Sequence, residues 1–421
     1  MKHLVVIAAG LGARLLEDNS SLEMAGLSFR PADSVFPAVT CTAQATFRTA
    51  LDPSGHGMTS NGCFSRELRR TFFWEQSSAL VHGPRIWSAA RAAGAKVGMY
   101  FWQQSLGEDV DTVISPAPIH KHGGGMIMRN YTQPPGMGDL LERLCGAFPL
   151  HRYWGPLASP KVGRAVIENF MGMADAHPPD YAFLYLPSLD YDAQRHGPSS
   201  RAARRALREF RSQLERLAGY ASAKGYALTV CGDYDIAPVD LPPVFPNIAL
   251  RRAGLFNVRP VGSRAYPDFN TSSAFAMCDH EIAHVYVRGG DLELVEKTAK
   301  ALRDTGDFER VDVRDAQPWA HPAGGEILLL AKKGSWCAYP WWTDAREAPD
   351  YATHVDIHSK PGFDPCELFF GSLFPPGTSQ DWGRVKGTHG RQTSIAWAST
   401  ESHVGGASMK EIAASIFQSP A

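Results

Sequence analysis

The stretch "SLDYDAQRHGP", residues 188–198, sets Asp190, Asp192 and His196 directly after the apolar run "YAFLYLP". All three side chains are potential metal ligands, and acids at the end of a strand usually mark a site. The position four after Asp190, where a second ligand is expected, holds Gln194. A second apolar run, "YALTVCGDYD", also ends in acids, with Asp233 among them. Thr40 lies in "FPAVTCTAQATF", where a loop enters a helix. There its hydroxyl can serve as a nucleophile or as an N-cap. Thr40, Asp190 and Asp233 all fall just after expected strand ends, and this shared placement matters more than any one of them.

Two glycine-rich runs carry less. "GLGARL" after the first strand invites a dinucleotide reading, but Leu15 stands where the third small residue is needed for close helix packing. "HGGG", residues 122–125, resembles an esterase oxyanion loop, yet the chain has no G-x-S-x-G elbow to go with it. It reads as a flexible loop. Cys41, beside Thr40, reads as a small packing residue rather than a nucleophile.

The elements that must position these residues are legible from their periodicity. "HLVVIAAG" reads as a buried parallel strand and "GLGARLL" as the turn after it. "PRIWSAARAAGAKVGMYFWQ" gives a helix, a stop at Gly94 and a strand. "SPKVGRAVIENFMGMADAHPPDYAFLYLPSL" repeats helix then strand. An amphipathic helix follows from Ser200 to Tyr220, with Ala203, Leu207, Phe210, Leu214 and Leu217 on one stripe. Alternating helices and apolar strands predict an α/β fold whose parallel sheet is covered on both faces, with ligands bound at the carboxyl ends of the strands. From about residue 241 to 350 the pattern changes. "SAFAMCDHEIAHVYV" reads as a hairpin, "DLELVEKTAKALRDT" as a helix and "GEILLLAKKGSWCAYPWW" as further strands. The expected organisation is a core of 1–240 and 351–421 with a smaller α+β cap, 241–350, inserted into it.

The bulk numbers set outer limits. A chain of 421 residues, 44% hydrophobic, can bury a sizeable core. A net charge of −1 argues against a general nucleic-acid binder but leaves room for a small anionic ligand. No stretch approaches the roughly 20 apolar residues that span a bilayer. The N-terminal "MKHLVVIAAGLGARLL" reads as a first strand rather than a signal peptide. The seven cysteines include no C-x-x-C pair, so reduced thiols in a cytoplasmic protein are expected.

Taken in order, the motifs resemble those of the type I phosphodiesterase/nucleotide pyrophosphatase family of the alkaline phosphatase superfamily. Pro37 to Thr40 matches its P-x-x-T loop, and Pro53, His56, Gly57 and Asn61 match its P-x-x-H-G segment ending in Asn. "LDYDAQRHGP" resembles its D-x-x-x-H-x-x-G-P loop, "CGDYD" occupies the place of S-D-H-G, and "GTHGR" that of the final H-G. The resemblance implies an alkaline-phosphatase-like core with a cap between the last two motifs. It also implies a Thr nucleophile between two metal ions, usually zinc. Thr40 would be that nucleophile and Asn61 would hold a phosphoryl oxygen. Asp190 and His389 would serve one metal, Asp233 and Thr40 the other.

Three of the seven family ligand positions depart from the pattern. The first-strand Asp aligns with Ala9, the second His with Gln194, and the His after the fourth Asp with Tyr234. Gln is a weak ligand and neutral Tyr a weaker one, so fewer than two tightly bound ions are expected. "CDHEIAH" offers Asp279, His280 and His284 as replacements, and "DIHSK" offers Asp356 and His358. Two functions remain open: a hydrolase or transferase of a small phosphorylated metabolite with a reduced or rearranged metal site, and a binding protein or enzyme of different chemistry on the same fold.

Overall fold

The computed structural model describes residues 2–122, 125–315, 317–356, 359–373 and 376–418. Its main sheet has eight strands, in the order Tyr131–Gln133, Thr112–Ser115, Val97–Tyr100, Tyr181–Leu186, Lys2–Ala8, Tyr226–Gly232, Ser394–Ser399 and Arg30–Asp33. The five strands from Thr112–Ser115 to Tyr226–Gly232 are parallel. The three others pair antiparallel, one at one edge and two at the other. The parallel sheet expected from the sequence is therefore the centre of a mixed one. Leu4 to Ala8 and Ala182 to Leu186 are buried at every position, so both faces of the central strands are covered. That double burial is why these runs are continuously apolar rather than alternating.

The helices follow the expected pattern. Val162–Ala176 buries Val166, Ile167, Phe170 and Met173. Arg201–Lys224 begins at Ser200, whose hydroxyl accepts from the Ala203 N–H, and stops at Gly225 in a left-handed conformation. All five stripe residues of the expected helix are buried in it. "GLGARLL" is not only a turn: Ala13–Asp18 is a short helix. Its glycines answer to sterics. Gly10 has φ +71°, and a Cβ on Gly12 would meet the Asp235 carboxylate at 2.1 Å.

A second, wholly antiparallel sheet lies within 241–350, ordered Ala274–Asp279, Ile282–Val287, Ile327–Ala331 and Phe308–Val313. The hairpin and the helix Leu292–Arg303 form as expected. "GEILLLAKKGSWCAYPWW" yields one strand, Ile327–Ala331. After it Trp336, Cys337, Tyr339 and Trp341 are buried as coil, their large rings filling the core between the sheet and its surroundings. The apolar cluster of this sheet also takes in Phe64, Phe73, Ala352 and Phe363, so its packing reaches beyond both expected cap boundaries. Among the described residues, no helix is long and apolar enough to cross a membrane.

One buried cation ties the first site helix, Thr40–Thr49, to the loop after Val97–Tyr100. The Arg48 guanidinium is fully buried and donates to the Gln104 carbonyl at 2.7 Å, the Gln103 carbonyl at 2.5 Å and the Glu108 carboxylate at 3.3 Å. Glu108 is shared with Arg85. Arg48→Met leaves two buried carbonyls without donors and Glu108 to Arg85 alone, and is expected to cost about 2–5 kcal/mol. Urea unfolding checks this: the midpoint should fall while the slope stays unchanged.

Candidate active site

The carboxyl ends of the central parallel strands open into a cavity of about 630 Å³. Its floor carries Thr40, Asp190, Gln194, Tyr234, His280 and His389. Thr40 is the first residue of its helix. The N-cap is Val39, and no side chain caps this end. The Thr40 hydroxyl is thus free of a capping duty and lies 3.3 Å from the Tyr234 hydroxyl.

Asp190 opens the helix Asp190–His196. Both of its oxygens accept from Gln194 Nε2, each at 2.8 Å. A helix sets residues four apart side by side, which is how Gln194 reaches back to Asp190. The Tyr234 hydroxyl also supports the ionised carboxylate. Burial outweighs both and pushes Asp190 up to about 6. In the Thr40–Tyr234 hydrogen bond either hydroxyl can donate. Gln194 Oε1 is buried and has no hydrogen-bond partner among the described residues.

Asp233 follows Tyr226–Gly232 and is fully buried. Its Oδ1 accepts from the Gly10 and Tyr234 N–H groups, at 3.0 and 2.9 Å, and its Oδ2 lies 3.5 Å from the Tyr185 hydroxyl. Burial, then the negative Asp190, raises it well above the ordinary carboxylate range. The His389 Nδ1–H donates to the Ala38 carbonyl at 2.8 Å, and burial lowers the ring to about 3. It is a neutral imidazole with Nε2 unprotonated. The Tyr234 ring stacks on it, centroids 3.6 Å apart and planes 3° apart.

The structure brings Thr40, Asp190, His280 and His389 around one cavity, with Asp233 behind the floor. His280 sits in the hairpin turn with φ 59°, a conformation uncommon for a residue with a Cβ. This places its ring 3.5 Å from His389 and 3.9 Å from Phe363. His284 is not brought there. Its Nε2 meets the Thr59 carbonyl at 3.0 Å and its Nδ1 accepts from the Gly325 N–H, so both ring nitrogens serve the backbone. Asp279 is likewise committed, accepting from the Ser60 hydroxyl and from the main-chain and side-chain N–H of Asn61. Asn61 in turn accepts from the Cys41 N–H at 2.9 Å and does not line the cavity. His196 is exposed at the end of its helix, and Asp192 pairs with Arg195 at 3.6 Å. The Cys41 thiol is fully buried and pushed up to about 12 by that burial, as suits a packing residue. His358 lies outside the described residues, as do Gly123 and Gly124 of the "HGGG" run.

These donors do not fit a pair of tightly held zinc ions, each of which needs about four N, O or S ligands. Gln194 Nε2 donates to both Asp190 oxygens, Asp233 Oδ1 accepts from two N–H groups while its Oδ2 meets only the Tyr185 hydroxyl, and Ala9 brings no donor. Burial holds the Tyr234 phenol well above its ordinary range, and so neutral. Among the described residues, no group of three His, Cys, Asp or Glu side chains is placed to hold a metal. Gln194 and Tyr234, the departures from the family's ligand pattern, both line the floor, Gln194 on Asp190 and Tyr234 beside Thr40. The i, i+4 spacing of Asp190 and Gln194 was the signal for the first. Nothing local signals the second. The aromatic walls, Trp74, Trp154 and Phe363, come from three distant segments and also escaped notice.

Comparison with known proteins agrees with this architecture. Phosphonoacetate hydrolase from Sinorhizobium meliloti, solved with phosphonoformate, superposes with a TM-score of 0.59 at 16% identity, over 95% of this chain and 89% of that one. Its phosphonoacetate complex gives 0.60 at 14%, over 99% and 94%. Murine ectonucleotide pyrophosphatase/phosphodiesterase 5 gives 0.55 at 15%, over 94% and 88%. At such identities the likeness shows the fold, which is alkaline-phosphatase-like. A search of curated protein sequences finds no significant match. The family model for type I phosphodiesterase / nucleotide pyrophosphatase matches residues 4–364, and the chain belongs to that family.

Proposed function

We propose that the protein is a hydrolase or transferase of a small phosphate ester, with Thr40 as the attacking group and fewer than two tightly bound metal ions. The observation that carries this reading is the Thr40 hydroxyl: at the cavity floor, without a capping role, and hydrogen-bonded toward Tyr234 and Asp190. In the proposed step Thr40 Oγ forms a bond to phosphorus as the bond to the leaving oxygen breaks. The Thr40 proton passes to Tyr234, whose own proton moves to Asp190. Water then cleaves the phosphothreonine, or an acceptor alcohol takes the phosphoryl group. The helix Thr40–Thr49 begins at the cavity floor, so the positive end of its dipole lies toward the anion, while the Cys41 N–H is held by Asn61. The seven cysteines are all unpaired, in keeping with the cytoplasmic location we propose.

One observation favours a second reading, a binding protein or an enzyme of different chemistry. Among the described residues that line the cavity there is no lysine or arginine, so little fixed positive charge from them faces an anion there.

Thr40→Ala separates the two readings. It removes one hydrogen bond and no cap, so it should cost about 1 kcal/mol or less. Turnover of bis-p-nitrophenyl phosphate should fall by about a thousandfold or more. Melting curves and initial rates check this, and substantial remaining activity excludes covalent catalysis by Thr40. Asp190→Asn should be far more damaging than Asp192→Asn, because Asp192 pairs with Arg195 and does not line the cavity, while Asp190 faces the floor. Rates of the two variants on the same ester decide it, and equal loss would refute the assigned roles. Elemental analysis after gel filtration should find fewer than two transition-metal ions per chain, and two zinc equivalents surviving dialysis would overturn the proposed floor.

A further inference from the structure

The helix Arg201–Lys224 concentrates positive charge on its outer face. Five of the eleven residues from 201 to 211 are arginine, against 42 lysines and arginines in the whole chain of 421. The buried stripe of this helix runs through Ala203, Leu207, Phe210 and Leu214. At about 100° per residue, Arg201, Arg204, Arg205, Arg208 and Arg211 fall on the arc opposite that stripe. Arg204 donates to the Ser199 carbonyl and Arg211 to the Ser21 hydroxyl. Arg201, Arg205 and Arg208 are exposed and make no hydrogen bond or ion pair among the described residues. Glu215, a turn beyond Arg211, is the one acid of the helix on this arc.

A neighbouring helix widens the patch. Val162–Ala176 lies alongside, laced to Arg201–Lys224 by Arg164 with Glu209 at 2.5 Å, Arg216 with Glu168 at 2.9 Å and Lys224 with Asp175 at 2.8 Å. Arg164 above all, with Lys161 also in range, holds the Glu209 carboxyl below its ordinary range. The two helices therefore form one flat face with seven cations toward one end. The whole chain has a net charge of −1, so the rest of the molecule is net acidic, and an anionic surface favours the orientation that turns this face toward it. The basic turns also lie at the cavity end of the sheet, because the helix follows Asp190–His196, which opens with Asp190 of the floor.

The planar fork of arginine suits phosphate oxygens, which nucleic acids and bilayers both display. The shape of the face decides between them. A duplex major groove about 12 Å wide admits one helix, and a helix laced flush against its neighbour cannot enter it. No aromatic side chain stands on the arc to stack on unpaired bases. A planar array of headgroups meets neither obstacle, and a cluster of this size on an amphipathic helix suits anionic lipid.

We infer that this two-helix face docks the protein on the anionic headgroups of a lipid bilayer, held by charge rather than by insertion. The inference is independent of the reaction at Thr40.

Co-sedimentation of the full chain with vesicles tests it. Vesicles of equal parts phosphatidylcholine and phosphatidylglycerol should bind the protein, and vesicles of phosphatidylcholine alone should not. Binding should weaken as salt rises from low to physiological strength. R201Q/R205Q/R208Q should lower the partition coefficient by about a hundredfold, with a native melting curve because these side chains have no partners to lose. R201K/R205K/R208K should keep most of the binding. The control R259Q/R264Q/R346Q removes equal charge from exposed arginines outside the patch and should bind as the unaltered chain does. Equal binding to both kinds of vesicle, equal loss in the two glutamine triples, or tighter binding of duplex DNA than of the anionic vesicles at the same salt would overturn the inference.

Discussion

Asp279 lies at the end of a strand in the smaller sheet, fully buried, and accepts three hydrogen bonds from Ser60 and Asn61. A carboxylate at such depth is sustained only where donors saturate its oxygens. Saturating it fixes Asn61, whose own side-chain oxygen then holds the Cys41 N–H and with it the first turn of the helix that begins at Thr40. One residue further on, the chain turns through the strained backbone of His280 and lays that ring on His389. The smaller sheet therefore holds the helix that carries the Thr40 hydroxyl and supplies one wall of its surroundings.

The floor meets a charge problem in an unusual way. Asp190 and Asp233 are both buried, and the negative Asp190 makes Asp233 harder to ionise. Family members of this fold commonly settle such a pair with metal cations. Here Asp190 accepts from the Gln194 amide and Asp233 from two main-chain N–H groups. Neutral donors stabilise a carboxylate without cancelling its charge. Desolvation then dominates, and Asp190 titrates near 6 rather than near 4.

Much of the scaffold was legible because its signals are local. Runs of apolar residues marked the parallel strands, a 3.6-residue stripe marked Arg201–Lys224, and Ser200 and Gly225 marked its ends. Thr40, Asp190 and His389 were legible as spaced motifs. What escaped depends on contacts between segments far apart in the chain. The antiparallel edges of the main sheet come from residues near 30 and 394. The stack of Tyr234 on His389 and the clasp of Asn61 by Asp279 have no local pattern to announce them. His284 misled for the same reason: its residue type suggests a ligand, and only its distant backbone partners show a structural role.

The two outer strands of the main sheet have a consequence for how these molecules behave in a crowd. One, Arg30–Asp33, is four residues long, carries a charge at each end and contains Pro31. The other, Tyr131–Gln133, is three residues long and runs into Pro134 and Pro135. Proline has no N–H to offer a new neighbour, and short charged edges give an incoming strand little to pair with. The continuously apolar strands at the centre, which would be hazardous if exposed, are thus screened on both sides by strands that are poor templates for cross-β growth.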